Sequence, residues 1–293
     1  MMSDHIVRKT KLTCICSDMI SDVMRGLPEK IGQFICLQPR ELDRAQLYLA
    51  RLRINQARTI QEKGRVVLHR FEGLFSVKGD KDILCTRNLV PGEALYGENL
   101  IHVQNEDGTE VEYRIWDPLR SKLGAAIHQG VSNIWIKPGS RVLYIGNVCG
   151  RTVSDLSDLI GLEGLVYVVG LSDDVADMAG NRPNVLTIKS KLIDHYSYRM
   201  LVGMVDVIFF EIDHHPEQQF CEEGFFLVNN ARYYLRAAGH YMISRQVKVT
   251  NSTCKFIFNA HDYLKEFKPI ETVMIDMREG AYALEVGGYR MRV

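Results

Sequence analysis

Apolar residues recur along this chain in two rhythms, and the change between them falls near residue 117. Over residues 39–63, Leu42, Ala45, Leu49, Leu52 and Ile54 stand near helical spacing with charges between them. That spacing predicts one amphipathic helix, closed by Gly64 at a C-cap position. The 38 residues before it show no clear period. Over 65–114 the pattern alternates and breaks at Glu72-Gly73, at Lys78-Gly79-Asp80 and again at Glu106-Asp107-Gly108. Such alternation predicts short strands and turns, hence a small β-rich subdomain. From Asp117 onward, a helix over 118–129, with Pro118 in its first turn, leads into apolar runs at 141–145, 165–169, 185–188, 205–210 and 240–244. Helical stretches fit at 152–160, 217–235 and 252–267, and two last strands at 271–275 and 281–289. Strands alternating with helices predict right-handed crossovers and a mostly parallel sheet, closed by an antiparallel pair. The fold class is therefore α/β and Rossmann-like. It divides into an extension (1–62), a β-rich subdomain (63–116) and an α/β domain (117–293).

Composition narrows the class. Of 293 residues, 46% are apolar and 25% charged, ordinary for a globular chain with a real core. No run of eighteen apolar residues suggests a membrane span, and the first residues lack the apolar core of a secretory signal. The seven cysteines are scattered and form no CxxC pair, so free thiols in a reducing compartment are expected and zinc is not. Lys plus Arg and Asp plus Glu number 36 each. RNA affinity rests largely on neutralising phosphates, so net charge lends a nucleic-acid role no support.

Two strand ends carry candidate chemistry. VLYIGNVCGRTVSDL places Gly146 just after a strand and Gly150 at the opening of a helix. Glycines there allow close backbone approach to a ligand, beside the free N–H groups of the helix; a tight structural turn is the plainer alternative. A nucleotide site of this kind carries an acid at the end of the next strand, to hold ribose hydroxyls. Here that strand, LVYVVG, ends at Gly170, and the nearest acids are Asp173 and Asp174. The run MVDVIFFEIDHHPEQ ends in Glu211 and Asp213, where α/β active sites form. Adjacent His214 and His215 read as a solvated loop rather than a metal site, since neighbouring imidazoles rarely face one ion. Lys122, on the first helix, reads from pattern alone as solvated.

The ordered segments NLVPGEALYGE, YRIWDPLRSKLGAAI, KPGSRVLYIG, GLVYVV, YRMLVGMVDVIF, GHYMIS and VGGYR resemble the fibrillarin family over about 65–293. The resemblance implies an N-terminal β subdomain packed on a seven-stranded S-adenosylmethionine-dependent methyltransferase sheet. It implies methylation of RNA 2′-hydroxyls, rRNA above all, in box C/D ribonucleoproteins, with a Nop56/Nop58-type scaffold and a guide RNA. It also implies a nuclear, nucleolar location. The Arg/Gly-rich tail usual in eukaryotic members is not found in this sequence.

The resemblance also implies site residues. A 2′-hydroxyl must be oriented toward the methyl and helped to lose its proton. The family uses Lys, Asp, Lys and usually His for this. The first Lys is kept as Lys122. The Asp aligns with Glu211, the second Lys with Gln246 and the His with Tyr282. Gln246 lacks the cation that would stabilise a developing alkoxide. Lys248 falls on the same side if the strand continues. On the cofactor side Gly146, Gly150 and Thr152 match. The ribose acid aligns with Gly170, and the acid near the adenine amino group with Lys191, close to Asp194. Two functions follow: an active RNA 2′-O-methyltransferase with an altered site, or a non-catalytic binding module that keeps fold and scaffold contact. Cofactor affinity separates them.

Overall fold

The computed structural model describes residues 65–79, 82–104, 107–146, 148–170, 173–190, 196–212, 220–247, 267–277 and 280–289. The chain divides into Met1–Arg58 and Thr59–Val293, and every described residue falls in the second unit. The helix expected over 39–63 lies outside the described residues, as do residues 252–266 of the one expected over 252–267, while Phe267 begins a strand instead.

The first sheet follows from the alternating stretch. Strands β1 (Arg65–Leu68), β2 (Leu74–Lys78), β3 (Ile83–Arg87), β4 (Leu100–Gln104) and β5 (Glu110–Ile115) run in the order β1-β2-β3-β5-β4, all antiparallel. Alternation gathers Val77, Ile83, Cys85, Ile101 and Ile115 into a small core of their own. Burial pushes the Cys85 thiol up to about 12, so it stays protonated and inert.

The second sheet has seven strands in the order β11-β12-β10-β9-β6-β7-β8. They are β6 (Arg141–Gly146), β7 (Leu165–Val169), β8 (Val185–Ile188), β9 (Val205–Ile212), β10 (Leu235–Val247), β11 (Phe267–Met277) and β12 (Gly280–Tyr289). β8, β7, β6, β9 and β10 are mutually parallel, and β12 and β11 close the edge antiparallel, as the pattern predicted. Helices α1 (Lys122–His128), α2 (Gly150–Ile160), α3 (Asp173–Ala179) and α4 (Phe220–Tyr234) flank it. Residues two apart in each strand face opposite cores from their neighbours: Val142, Tyr144, Phe209 and Met242 lie in one, Leu143, Ile145, Ile208 and Ile243 in the other. β6 pairs with β7 on one side and β9 on the other, so strand order reverses there, which opens a crevice at the carboxyl ends of β6 and β9.

Several elements differ from expectation, among them β11, which begins at Phe267 rather than 271 and has eleven residues. α1 starts at Lys122 rather than 118, because Asp117 holds a turn through Leu119 and Arg120, and Ser121 then caps the helix by accepting the Gly124 N–H at 3.1 Å. β10 is thirteen residues rather than five, starting directly after α4 across an irregular register between Leu235 and His240. α3 was not foreseen: it is seven residues long and buries only Val175 and Met178 of its apolar positions, too few for a period to show.

Candidate active site at the carboxyl ends of the strands

Glu211 is the penultimate residue of β9 and is 2% exposed. Its cross-strand partners are Gly146 on β6 and Ser244 on β10. Lys122 reaches it from α1, and its ammonium pairs with one carboxylate oxygen. The Tyr144 hydroxyl donates to the other oxygen and accepts the Cys149 N–H at 3.1 Å. Burial first, then the Glu211 charge, push the Tyr144 phenol well up, so it remains a donor. The Lys122 ammonium also sits 4.5 Å from the centre of the Tyr282 ring, where the ring's negative face attracts it. Tyr282 faces Gln246 across the β10–β12 pair.

The structure thus gathers Lys122, Glu211, Gln246 and Tyr282 at the carboxyl ends of β9 and β10. The pattern reading of Lys122 as a solvated helix residue is overturned: it is 8% exposed, because α1 packs on the sheet face that carries Glu211. Two residues escaped the sequence reading. Tyr144 is a polar tip in an otherwise apolar strand, which was its only signal. Ser244 is fully buried, and its hydroxyl has no hydrogen-bond partner among the described residues. Asp206, at the amino end of β9, accepts the Arg141 N–H and pairs with Arg236.

The glycine turn has a structural cause at each position. Gly146 has φ +118°, and a Cβ there would run into the Glu211 backbone. At Gly150 a Cβ would meet the Tyr96 hydroxyl, so this glycine also makes room for Tyr96. Thr152 is buried in the first turn of α2, whose N-cap Cys149 makes no side-chain cap bond. Gly170 lines a narrow, water-sized crevice with Val148, Val168, Val175, Ala176, Thr187 and Lys189. Lys191, Asp194, Asp213, His214, His215 and Lys248 lie outside the described residues. Among the described residues there is no group of three or more His, Cys, Asp or Glu able to hold a metal, and no helix long and apolar enough to cross a membrane.

The fibrillarin family profile matches residues 66–291. The chain belongs to the fibrillarin family. It is 48% identical over 232 residues to rRNA 2′-O-methyltransferase fibrillarin 1 of Arabidopsis thaliana, covering 76% of this chain and 73% of that protein. Against rRNA 2′-O-methyltransferase fibrillarin of Rattus norvegicus it is 40% identical over 231 residues, 76% of this chain and 68% of that one. The fibrillarin fold is equally clear in solved structures. The Methanococcus jannaschii fibrillarin pre-rRNA processing protein superposes with a TM-score of 0.66 at 27% identity, covering 78% of this chain and 98% of that chain. Aeropyrum pernix fibrillarin, in complex with natively bound S-adenosyl-L-methionine, gives 0.65 at 28% identity, covering 76% of this chain and 97% of that chain.

Proposed function

We propose that this fibrillarin-family chain is an S-adenosylmethionine-dependent RNA 2′-O-methyltransferase, acting on rRNA. In this proposal it works with a Nop56/Nop58-type scaffold and a box C/D guide RNA in the nucleolus. The observation that carries the reading is the buried Lys122–Glu211 pair at the end of β9, held by the Tyr144 hydroxyl.

The residues present fit such a cofactor along the glycine turn and lack the two acids the family uses, Gly170 standing for the ribose acid and Lys191 for the adenine acid. Gly146 keeps the backbone open beside Glu211, and the uncapped first turn of α2 offers N–H groups. Gly170 offers no acceptor for ribose hydroxyls. Gly146, Gly150 and Thr152 would hold the cofactor, which when bound supplies an electrophilic methyl. Glu211 would accept a hydrogen bond from the RNA 2′-hydroxyl and orient it. Lys122 would lower the cost of negative charge growing on that oxygen. Tyr144 fixes the carboxylate so that little reorganisation is needed, and Tyr282 holds the ammonium over its ring. Gln246 can orient by hydrogen bonding and adds no charge.

A second reading, a binding module without catalysis, has specific support. Gln246 supplies no cation, Gly170 no acid, and Lys122 and Glu211 already neutralise each other. The two are separated by titrating the full chain with S-adenosylmethionine in a calorimeter, then following methyl transfer to RNA in a reconstituted guide complex. Micromolar binding and transfer that Lys122→Ala abolishes support the enzyme. No heat up to millimolar cofactor, in a chain folded by circular dichroism, would sink it.

A further inference from the structure

Glycine at position 170 is not required by its own backbone. Nine glycines of the described chain have positive φ, and Gly170 is not among them. What demands glycine is a neighbour. A Cβ built on Gly170 would collide with a methyl of Val148, and even the Val148 Cβ lies only 3.3 Å away. Val148 is β-branched, with few χ1 rotamers open to it, and packs against the core that also holds Val168 and Val175. A side chain at 170 and the valine at 148 therefore exclude one another. They come from different loops, one after β6 and the other after β7, and meet only through the parallel pairing of those strands. Both line the crevice whose other walls are Val168, Val175, Ala176, Thr187 and Lys189.

We infer that Val148 and Gly170 form an exclusive steric pair that puts valine methyls, in place of a hydrogen-bonding side chain, at the carboxyl end of β7, so that a bound nucleoside cofactor takes no grip on its ribose hydroxyls from position 170. The ribose half of this inference rests on the methyltransferase reading; the steric half does not. The consequence is altered specificity. A carboxylate on a ribose diol distinguishes ribose from deoxyribose because a lost charged hydrogen bond is worth about tenfold or more in affinity. A valine methyl makes no such distinction. The same pair explains why restoring an acid at 170 alone would fail: the new side chain has no room until position 148 shrinks.

The test uses the full chain with Gly170→Asp, Val148→Ala and the double variant. In thermal unfolding, Gly170→Asp is expected to lower Tm by about 4 °C or more through overpacking. Val148→Ala alone also lowers it, by removing packed methyls. The double variant is expected to be more stable than Gly170→Asp, a reversal that independent sites cannot give. Losses that simply add would overturn the steric pair. In calorimetry, wild type is expected to bind S-adenosylhomocysteine and its 2′-deoxyribosyl analogue within about twofold of each other. The double variant is expected to prefer the ribose form by about tenfold. A wild type that already prefers ribose tenfold overturns the ungripped ribose. A wild type that binds neither probe overturns the methyltransferase reading and the ribose statement with it, while the stability cycle still decides the pair.

Discussion

Glu211 is a buried carboxylate with two partners, and its neighbours set what any substitution there does. Removing one member of a buried ion pair leaves the other charge unpaired, at about 3–5 kcal/mol. Lys122→Met is therefore expected to lower unfolding free energy by that order in urea titration, more than an exposed lysine on the same protein would. Lys122→Met combined with Glu211→Gln should recover part of the loss. If the two single losses merely add, the pair seen here is not energetically coupled. Gly146→Ala meets two obstacles together, a φ of +118° and the Glu211 backbone. Loss of about 3 kcal/mol or more, or failure to fold, is the expected outcome, checked by denaturant midpoint. None of this was visible at position 122 in the pattern, since one Lys on a short amphipathic helix looks the same whether it faces solvent or a sheet end.

Between elements, the β-rich sheet and α2 share a buried polar network. Arg114 from β5 donates to Asp158 at 2.8 Å and to Ser154 at 2.8 Å, and Nη2 of its guanidinium lies 3.2 Å from Asp155. Arg182 pairs with Asp158 as well, and the Trp116 indole donates to Thr86 at 3.0 Å. Asp155 is wholly enclosed, and burial outweighs the pull of Arg114, with Glu98 and Asp158 adding repulsion; its carboxyl is raised to about 7. The folded state thus favours the protonated acid, against an ordinary value of about 3.9 when unfolded. That contribution is full below the unfolded value and is lost as pH rises through about 7. Tm at pH 6 should therefore exceed Tm at pH 8 by more in wild type than in Asp155→Asn, and the variant should be the more stable at pH 8. An unchanged pH slope in the variant would refute the assignment. Short strands and their turns were legible from alternation, but not this network, because Arg114, Asp155 and Asp158 meet only when two sheets and a helix pack.

At the scale of the molecule, 36 basic and 36 acidic residues leave no net charge to draw RNA to the chain. Under the proposed function, substrate must then be presented by the assembly. The isolated chain is expected to bind single-stranded RNA no more tightly than about 10⁻⁵ M at physiological salt, within the range of nonspecific contacts. Filter binding across a salt series checks this. Nanomolar affinity with a steep salt slope would instead reveal a basic face that the net charge conceals.

Sequence by itself determined the fold class, the parallel run of strands with its antiparallel closure, and the family. Those rest on patterns repeated over many residues, and a period of two or of 3.6 survives a few exceptions. It also named the aligned site positions Lys122, Glu211, Gln246 and Tyr282. Tertiary structure decided which of these touch: Lys122 on Glu211 and under Tyr282, with Tyr144 completing the carboxylate's shell. It decided, too, that Gly170 is glycine because of Val148. Such facts are distances between residues far apart in the chain, fixed by strand register and packing, and no local pattern of side chains encodes them.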